Sequence, residues 1–235
     1  MHRVLHDFAN PFYFRQALPD IWSGFTINVQ MMLIAEGLVL VFALVLAVTR
    51  GLPGRGAKPF RGMAILYTDF FRGTPLTLVA LAFILGIPGL EYPGISNFSN
   101  EVYGIAALTV VYTAYVTEVY RAGIESVHGS QRMAARSLGL SYGQAMRFVV
   151  LPQAIRRVIP PLLNDFIGLQ KDTAIIGTIG VIEAAAQANN FASSYFNYTG
   201  FLVAALLFIY LTIPLARYTD HLIADRELRE RATAV

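Results

Sequence analysis

F-T-I-N-V-Q-M-M-L-I-A-E-G-L-V-L-V-F-A-L-V-L-A-V-T, residues Phe25 to Thr49, carries one formal charge, at Glu36. A bilayer-spanning helix needs about 20 mostly apolar residues, so this stretch reads as a transmembrane span. The whole 235-residue chain agrees: it is 55% hydrophobic and only 14% charged, whereas soluble domains carry about 25% charged residues. Much of its surface therefore faces something other than water. Four further spans follow from the same test: Gly73 to Leu90 with the half-turns before it, Val102 to Thr117, Pro160 to Ile182, and Gly200 to Ala216. The stretch from Pro160 is the weakest, because it contains Asp165, Lys171 and Asp172. The expected fold is all-α, a five-helix integral membrane protein forming one domain over 1–235, with its core at 20–220.

The basic residues orient the spans. Arg50, Arg55, Lys58 and Arg61 follow the first. Arg121, Arg132, Arg136, Arg147, Arg156 and Arg157 follow the third, and Arg217, Arg226, Arg229 and Arg231 follow the fifth. The stretches Glu91 to Glu101 and Ala184 to Thr199 hold no Lys or Arg, and the N-terminus has only Arg3 and Arg15. Cytoplasmic loops collect Lys and Arg, so the N-terminus is expected outside and the C-terminus in the cytoplasm. The N-terminus lacks a short apolar core with a small-residue cleavage site, so no cleaved signal peptide is read. There is no cysteine, no G-x-x-x-x-G-K-[ST] phosphate loop, and no metal-ligand spacing among His2, His6, His128 and His221. Nothing marks nucleic-acid binding, and covalent chemistry or ATP hydrolysis by this chain is not expected.

Between the third and fourth spans lies a polar segment at 125–159. Ser130 to Leu138 is rich in helix formers, with Ala134, Ala135 and Leu138 on one face. Gly139 follows, in the place where a left-handed residue commonly ends a helix. Ser141 and Gln144 have the spacing of a capping box and open a second amphipathic run through Ala145, Phe148, Val149 and Ile155. Pro152 and Pro160-Pro161 punctuate it. The segment reads as helix, glycine turn, helix. Two roles stay open on these residues: a hairpin on anionic headgroups, or a docking surface whose small residues admit another protein's backbone.

The stretch R-M-A-A-R-S-L-G-L-S-Y-G-Q-A-M-R-F-V-V-L-P, Arg132 to Pro152, resembles the E-A-A…G…I-x-L-P signature of the membrane permeases of ATP-binding-cassette importers. Ala134, Ala135, Gly139 and Pro152 match it, while Met133 stands where the motif has glutamate. F-R-G-T-P-L at Phe71 to Leu76, T-A-Y-V-T-E-V-Y-R-A-G-I at Thr113 to Ile124, and K-D-T-A at Lys171 to Ala174 resemble segments of the polar amino acid subfamily, which serves histidine, glutamine, glutamate, arginine and opines. The resemblance implies a coupling helix, with Met133, Ala134, Ala135, Arg136, Gly139, Leu140 and Pro152 at or near the seat on an ATPase. It implies two ATPase subunits carrying ATP and Mg, a second permease chain, an extracytoplasmic amino-acid-binding protein, and a place in the bacterial cytoplasmic membrane. No cofactor is expected on this chain itself.

Ionisable groups at membrane depth cost about 2.5–3.5 kcal/mol each on insertion scales, so they should face protein or water. Arg72, with Asp69 three residues before it, and Glu118 fall at similar depth; a pairing of Arg72 with Asp69, Glu118 or both is expected, either to close the pathway or merely to fix helix packing. Lys171, Asp172 and Thr173 near mid-bilayer could offer both donor and acceptor to an amino acid, or could pair internally. Asn164, Asp165 and Gln170 share that helix, and Tyr112 and Tyr115 could wall the path. Gly73-Thr74-Pro75 suggests a break that protein or a cavity must support, and Gly177 and Gly180 suggest close helix approach. A secondary transporter or channel, and a membrane scaffold without transport, remain alternatives on the residues alone; the internal repeats that would favour the former are not found.

Overall fold

A computed structural model describes residues 7–52, 54–127 and 129–233. His2, Arg3, His6 and His128 lie outside the described residues, as do the side chains of Arg132, Arg226, Arg229 and Arg231. The described residues are helical or irregular and form no strand. Helix α1 is Pro11–Gly51, α2 is Lys58–Gly73, and α3 is Leu76–Gly89 with a wide turn at Ala82–Gly86. Helix α4 is Asn100–Glu125 and α5 is Gly129–Ser137. A short turn, Tyr142–Ala145, and a wide turn, Met146–Val150, lead into α6, Leu151–Gly177. Helices α7, Ala184–Tyr195, and α8, Thr199–Thr233, complete the chain.

Apolar residues surround α1, so in its second half size rather than polarity sorts its faces. Ala35, Val39, Ala43 and Ala47, one turn apart, are buried, while Leu33, Phe42, Leu44 and Val45 are exposed. Small side chains inside and bulky ones outside suit a helix in lipid, where close backbone approach replaces the hydrophobic drive. Helices α1, α4 and α6 form the central trio, sharing a core with α3 that includes Met31, Val79, Leu108, Val111, Leu169 and Ile176. Glycine makes the α4–α6 approach possible. A Cβ on Gly104 would lie 2.6 Å from Ile176 Cγ2, and one on Gly123 would collide with Val158 Cγ1. A second cluster joins Ala17, Ile21 and Phe25 of α1 to Ala184, Ala188 and Phe191 of α7 and Val203 and Ala204 of α8.

Among the described residues, three helices are long and apolar enough to cross a bilayer: Pro11–Gly51, Asn100–Glu125 and Thr199–Asp225. The pair α2 and α3, bent by 102° at Gly73–Leu76, would make a fourth. The expected second span, Gly73 to Leu90, thus covers only the far arm of a broken element. The fourth expected span is α6, whose Arg156, Arg157, Asp165, Lys171 and Asp172 keep it from qualifying on apolarity. Its boundaries also differ from expectation. Pro160 and Pro161 lie inside a continuous helix rather than at its start, and the helix stops at Gly177, before a turn in which Gly180 has φ +111. The stretch Ala184 to Tyr195, expected as loop, is helix α7.

Candidate functional site

The break after α2 has a local cause. Pro75 has no N–H to continue the helix, and Thr74 and Pro75 are extended (ψ 127 and 134). Carbonyls freed at the end of α2 find hydroxyls: Thr74 Oγ1 donates to Phe70 O at 2.8 Å, and Tyr115 Oη to Arg72 O at 3.4 Å. Facing the break, α4 and α6 complete a pocket of about 510 Å³ lined by Arg72, Thr74, Tyr112, Tyr115, Asn164, Asp165, Gly168 and Asp172, among others. A neighbouring pocket of about 430 Å³ shares Arg72, Tyr115 and Asp165 and runs on past Glu118, Ser126 and Arg157. Gly168 leaves room for the Tyr112 hydroxyl, which a Cβ there would meet at 3.1 Å.

Within this space Tyr112 Oη donates to Asp172 Oδ2 at 2.8 Å. Asp165 Oδ2 is buried and has no hydrogen-bond partner among the described residues. The Arg72 guanidinium lies 6.0 Å from the Tyr115 ring centroid, within the range of a cation–π contact. The expected pairing of Arg72 with Glu118 or Asp69 does not form. Glu118 is instead taken by Arg50 of α1 and by Arg121, whose Nη2 stands 2.8 Å from Glu118 Oε2, and Arg121 also meets Glu125. The reason is positional: Arg50, at the end of α1, reaches Glu118 first, and Arg72 turns to an aromatic face.

The Lys171-Asp172-Thr173 triplet points three ways. Asp172 lines the pocket. Lys171 is exposed and does not line it, and Thr173 is fully buried elsewhere. Thr173 Oγ1 accepts from Asn28 Nδ2 at 3.0 Å, and the same amide nitrogen donates to Glu183 Oε2 at 2.9 Å. Glu183, also fully buried, caps α7 by accepting from Ala185 N and Ala186 N, while Asn28 Oδ1 accepts from Ala184 N at 3.1 Å. This cluster was missed in the sequence; a lone Asn inside the apolar run of α1 was its only signal. Gln170 is buried too and accepts from Thr212 Oγ1 at 2.7 Å. No group of three His, Cys, Asp or Glu among the described residues could hold a metal.

Residues 40–227 match the family described as the inner membrane component of binding-protein-dependent transport systems. The chain belongs to this family. The arginine transport system permease protein ArtQ of Bacillus subtilis is 31% identical over 90% of this chain and 94% of its own length. The glutamate transport system permease protein GluC of Corynebacterium glutamicum is 34% identical over 84% and 90%, and the probable glutamine permease protein GlnM of Bacillus subtilis 38% identical over 70% and 75%. Among solved structures, an amino acid ABC transporter crystallised with histidines superposes with a TM-score of 0.83 at 29% identity, covering 90% of this chain and 96% of that one. An inward-facing MetNI methionine transporter shares the fold, with a TM-score of 0.64 at 19% identity over 88% and 94%.

In this inner membrane component the segment between α4 and α6 has the expected local chemistry. Gly139 has φ +85, and Leu140 N donates to Ala135 O at 3.2 Å and Gly139 N to Arg136 O at 3.0 Å, a glycine-terminated helix end. Gln144 Oε1 accepts from Ser141 N at 2.8 Å, and Gln144 N donates to Ser141 Oγ at 3.3 Å, closing the capping box. Burial departs from the expected faces. Ala135 is buried, but Ala134 and Leu138 are exposed, and Val150 and Ala154 rather than Phe148 and Ile155 pack against Val127. Met133, Arg136 and Pro152 are exposed and Leu140 is half-buried, so apart from Ala135 this component presents an uncovered tip at Met133 to Leu138. Arg157 Nη1 holds Ser126 O, tying the segment's two ends together.

Proposed function

We propose that the chain is the permease subunit of an ATP-binding-cassette importer, forming the membrane path for a polar amino acid and coupling it to a separate ATPase. The observation that carries this is the pocket at the α2–α3 break, where Arg72, Asp165 and Asp172 meet among apolar helices. Ionisable groups at such depth mark a substrate path more readily than a scaffold. The family and the amino acid permeases similar to it agree.

The whole of 1–235 acts as one permease domain with its core at 20–220. Five spans are counted, α6 being the one that carries several charged residues, with the N-terminus outside and the C-terminus in the cytoplasm. The segment 125–159 docks on the ATPase through Met133, Ala134, Ala135, Arg136, Gly139, Leu140 and Pro152. Two ATPase subunits hold ATP and Mg, a second permease chain closes the path, and an extracytoplasmic binding protein delivers cargo. This chain holds no cofactor and does no covalent chemistry; it stabilises one of two conformations according to what is bound. Arg72, Asp172 and Tyr115 line the path, and Thr173 and Glu118 act beside it, holding helices in place.

The test is ATP hydrolysis by the chain reconstituted with its cognate ATPase and binding protein, wild type against Gly139→Asp. Hydrolysis that depends on loaded binding protein and loses that dependence in the variant supports the reading. A chain that neither binds an ATPase nor alters its rate sinks it in favour of a secondary transporter.

A further inference from the structure

Between the uncovered tip and α6 the chain does not run as one regular helix. The wide turn Met146–Val150 closes over one residue more than an α turn, and burial follows the extra residue. Ala145 and Val150 are buried five positions apart, and Ala154 and Val158 then follow at steps of four. In a regular α-helix five residues would set Ala145 and Val150 about 140° apart; the wide turn puts them on one face. That face lies against the end of α4, where Val150 and Ala154 pack on Val127 and Val158 sits against Gly123.

Two side chains hold the turn open. Pro152 has no N–H to give to Phe148 O, four residues back, and its ring crowds that carbonyl. Gln153 Nε2 donates to Val149 O at 3.0 Å, occupying the acceptor that the Gln153 N–H would meet in an α turn. Proline alone does not suffice, since Pro160 and Pro161 lie within continuous helix; the amide and the packed face complete the turn. We propose that Pro152 and Gln153 are positioning residues for coupling, which set the direction in which the Met133 to Leu138 tip leaves α6. The inference rests on the importer reading above and deepens it: Pro152 serves the docking through the turn rather than by touching the ATPase. Straightening the turn would rotate the tip by about 100° around α6, the step of one residue, and swing Met133 and Leu138 away from a partner seated on them.

The chain has no cysteine, so spin labels at Leu138→Cys and Arg156→Cys report the distance from tip to α6 in the full chain in nanodiscs. Pro152→Ala combined with Gln153→Ala is expected to shift that distance by about 5 Å, a helix radius. In the complex with ATPase and loaded binding protein, the same pair should abolish stimulated ATP hydrolysis. Deleting Arg147 from that variant removes the surplus residue, returns Ala145 and Val150 to one face, and should restore both readings. An unchanged distance in the double variant overturns the proposal, as does a shifted distance with stimulation intact. So does a deletion variant that regains the distance and stays uncoupled. A wild-type complex that shows no stimulation removes the importer reading and the coupling role with it.

Discussion

Asn28 and Glu183, 155 residues apart in sequence, share a hydrogen bond of 2.9 Å in the fully buried seam between α1 and α7. Around that bond the Asn28 amide also meets Thr173 and the Ala184 N–H. Asn28→Ala removes all three contacts and leaves a buried carboxylate with fewer donors. The expected loss is about 2–4 kcal/mol, since each orphaned buried group costs about 1–3 kcal/mol. Thermal unfolding of the purified protein in detergent checks it, and an unchanged midpoint would count against the cluster.

Gly24 lies against the same seam. A Cβ there would stand 2.6 Å from Glu183 C and 2.7 Å from Ala184 N, both backbone atoms. Gly24→Ala must therefore push α7 off α1, at about 1–3 kcal/mol for an overpacked contact. A lowered unfolding midpoint, with faster proteolysis between α6 and α8, is the expected signature.

Glu118 bridges α4 to α1 through Arg50 and is also held by Arg121 of its own helix, with the Arg50 and Glu118 side chains only 15% and 17% exposed. Glu118→Gln and Arg50→Ala are each expected to destabilise by about 1–3 kcal/mol. The double variant should lose less than the sum, by about 0.5–3 kcal/mol, as contacting residues do. Full additivity in a thermal double-mutant cycle would mean the ion pair contributes nothing.

At Gly139 the obstacle is backbone shape, not space: φ is +85 and no heavy atom lies within 4 Å of a built Cβ. A β-branched residue is worst there, and Asn tolerates the left-handed region best. Gly139→Val should cost about 1–2 kcal/mol locally and disturb ATPase coupling, while Gly139→Asn should retain most of it. Coupled ATP hydrolysis measured side by side for the two variants decides this, with equal loss in both pointing to side-chain bulk instead.

What the sequence made legible followed from one-dimensional rules. Apolar length located α1, α4 and α8, and the Gly139 turn and the Ser141–Gln144 box were readable because their chemistry is local. Pairings were not. Arg72 and Glu118 sit at similar depth in sequence terms, yet which cation reaches a carboxylate depends on the packing angle of α1. The Asn28–Glu183 bond was invisible for the same reason. Helix α7 escaped notice because A-A-A-Q-A-N-N-F-A-S-S-Y has too few bulky apolar residues to advertise a span, and Pro160-Pro161 misled because tertiary contacts hold a helix that propensity alone would end.

Helix α1 runs unbroken for 41 residues, from the Ala17 and Ile21 contacts with α7 to Arg50 beside Glu118. At 1.5 Å per residue it is a rod of roughly 60 Å, about twice the hydrocarbon thickness of a bilayer. A rod has no slack. A tilt of about 5° swings its ends past one another by about 5 Å over such a length, so the two faces of the membrane share one moving part, and no relay of side chains is needed to carry news from one to the other.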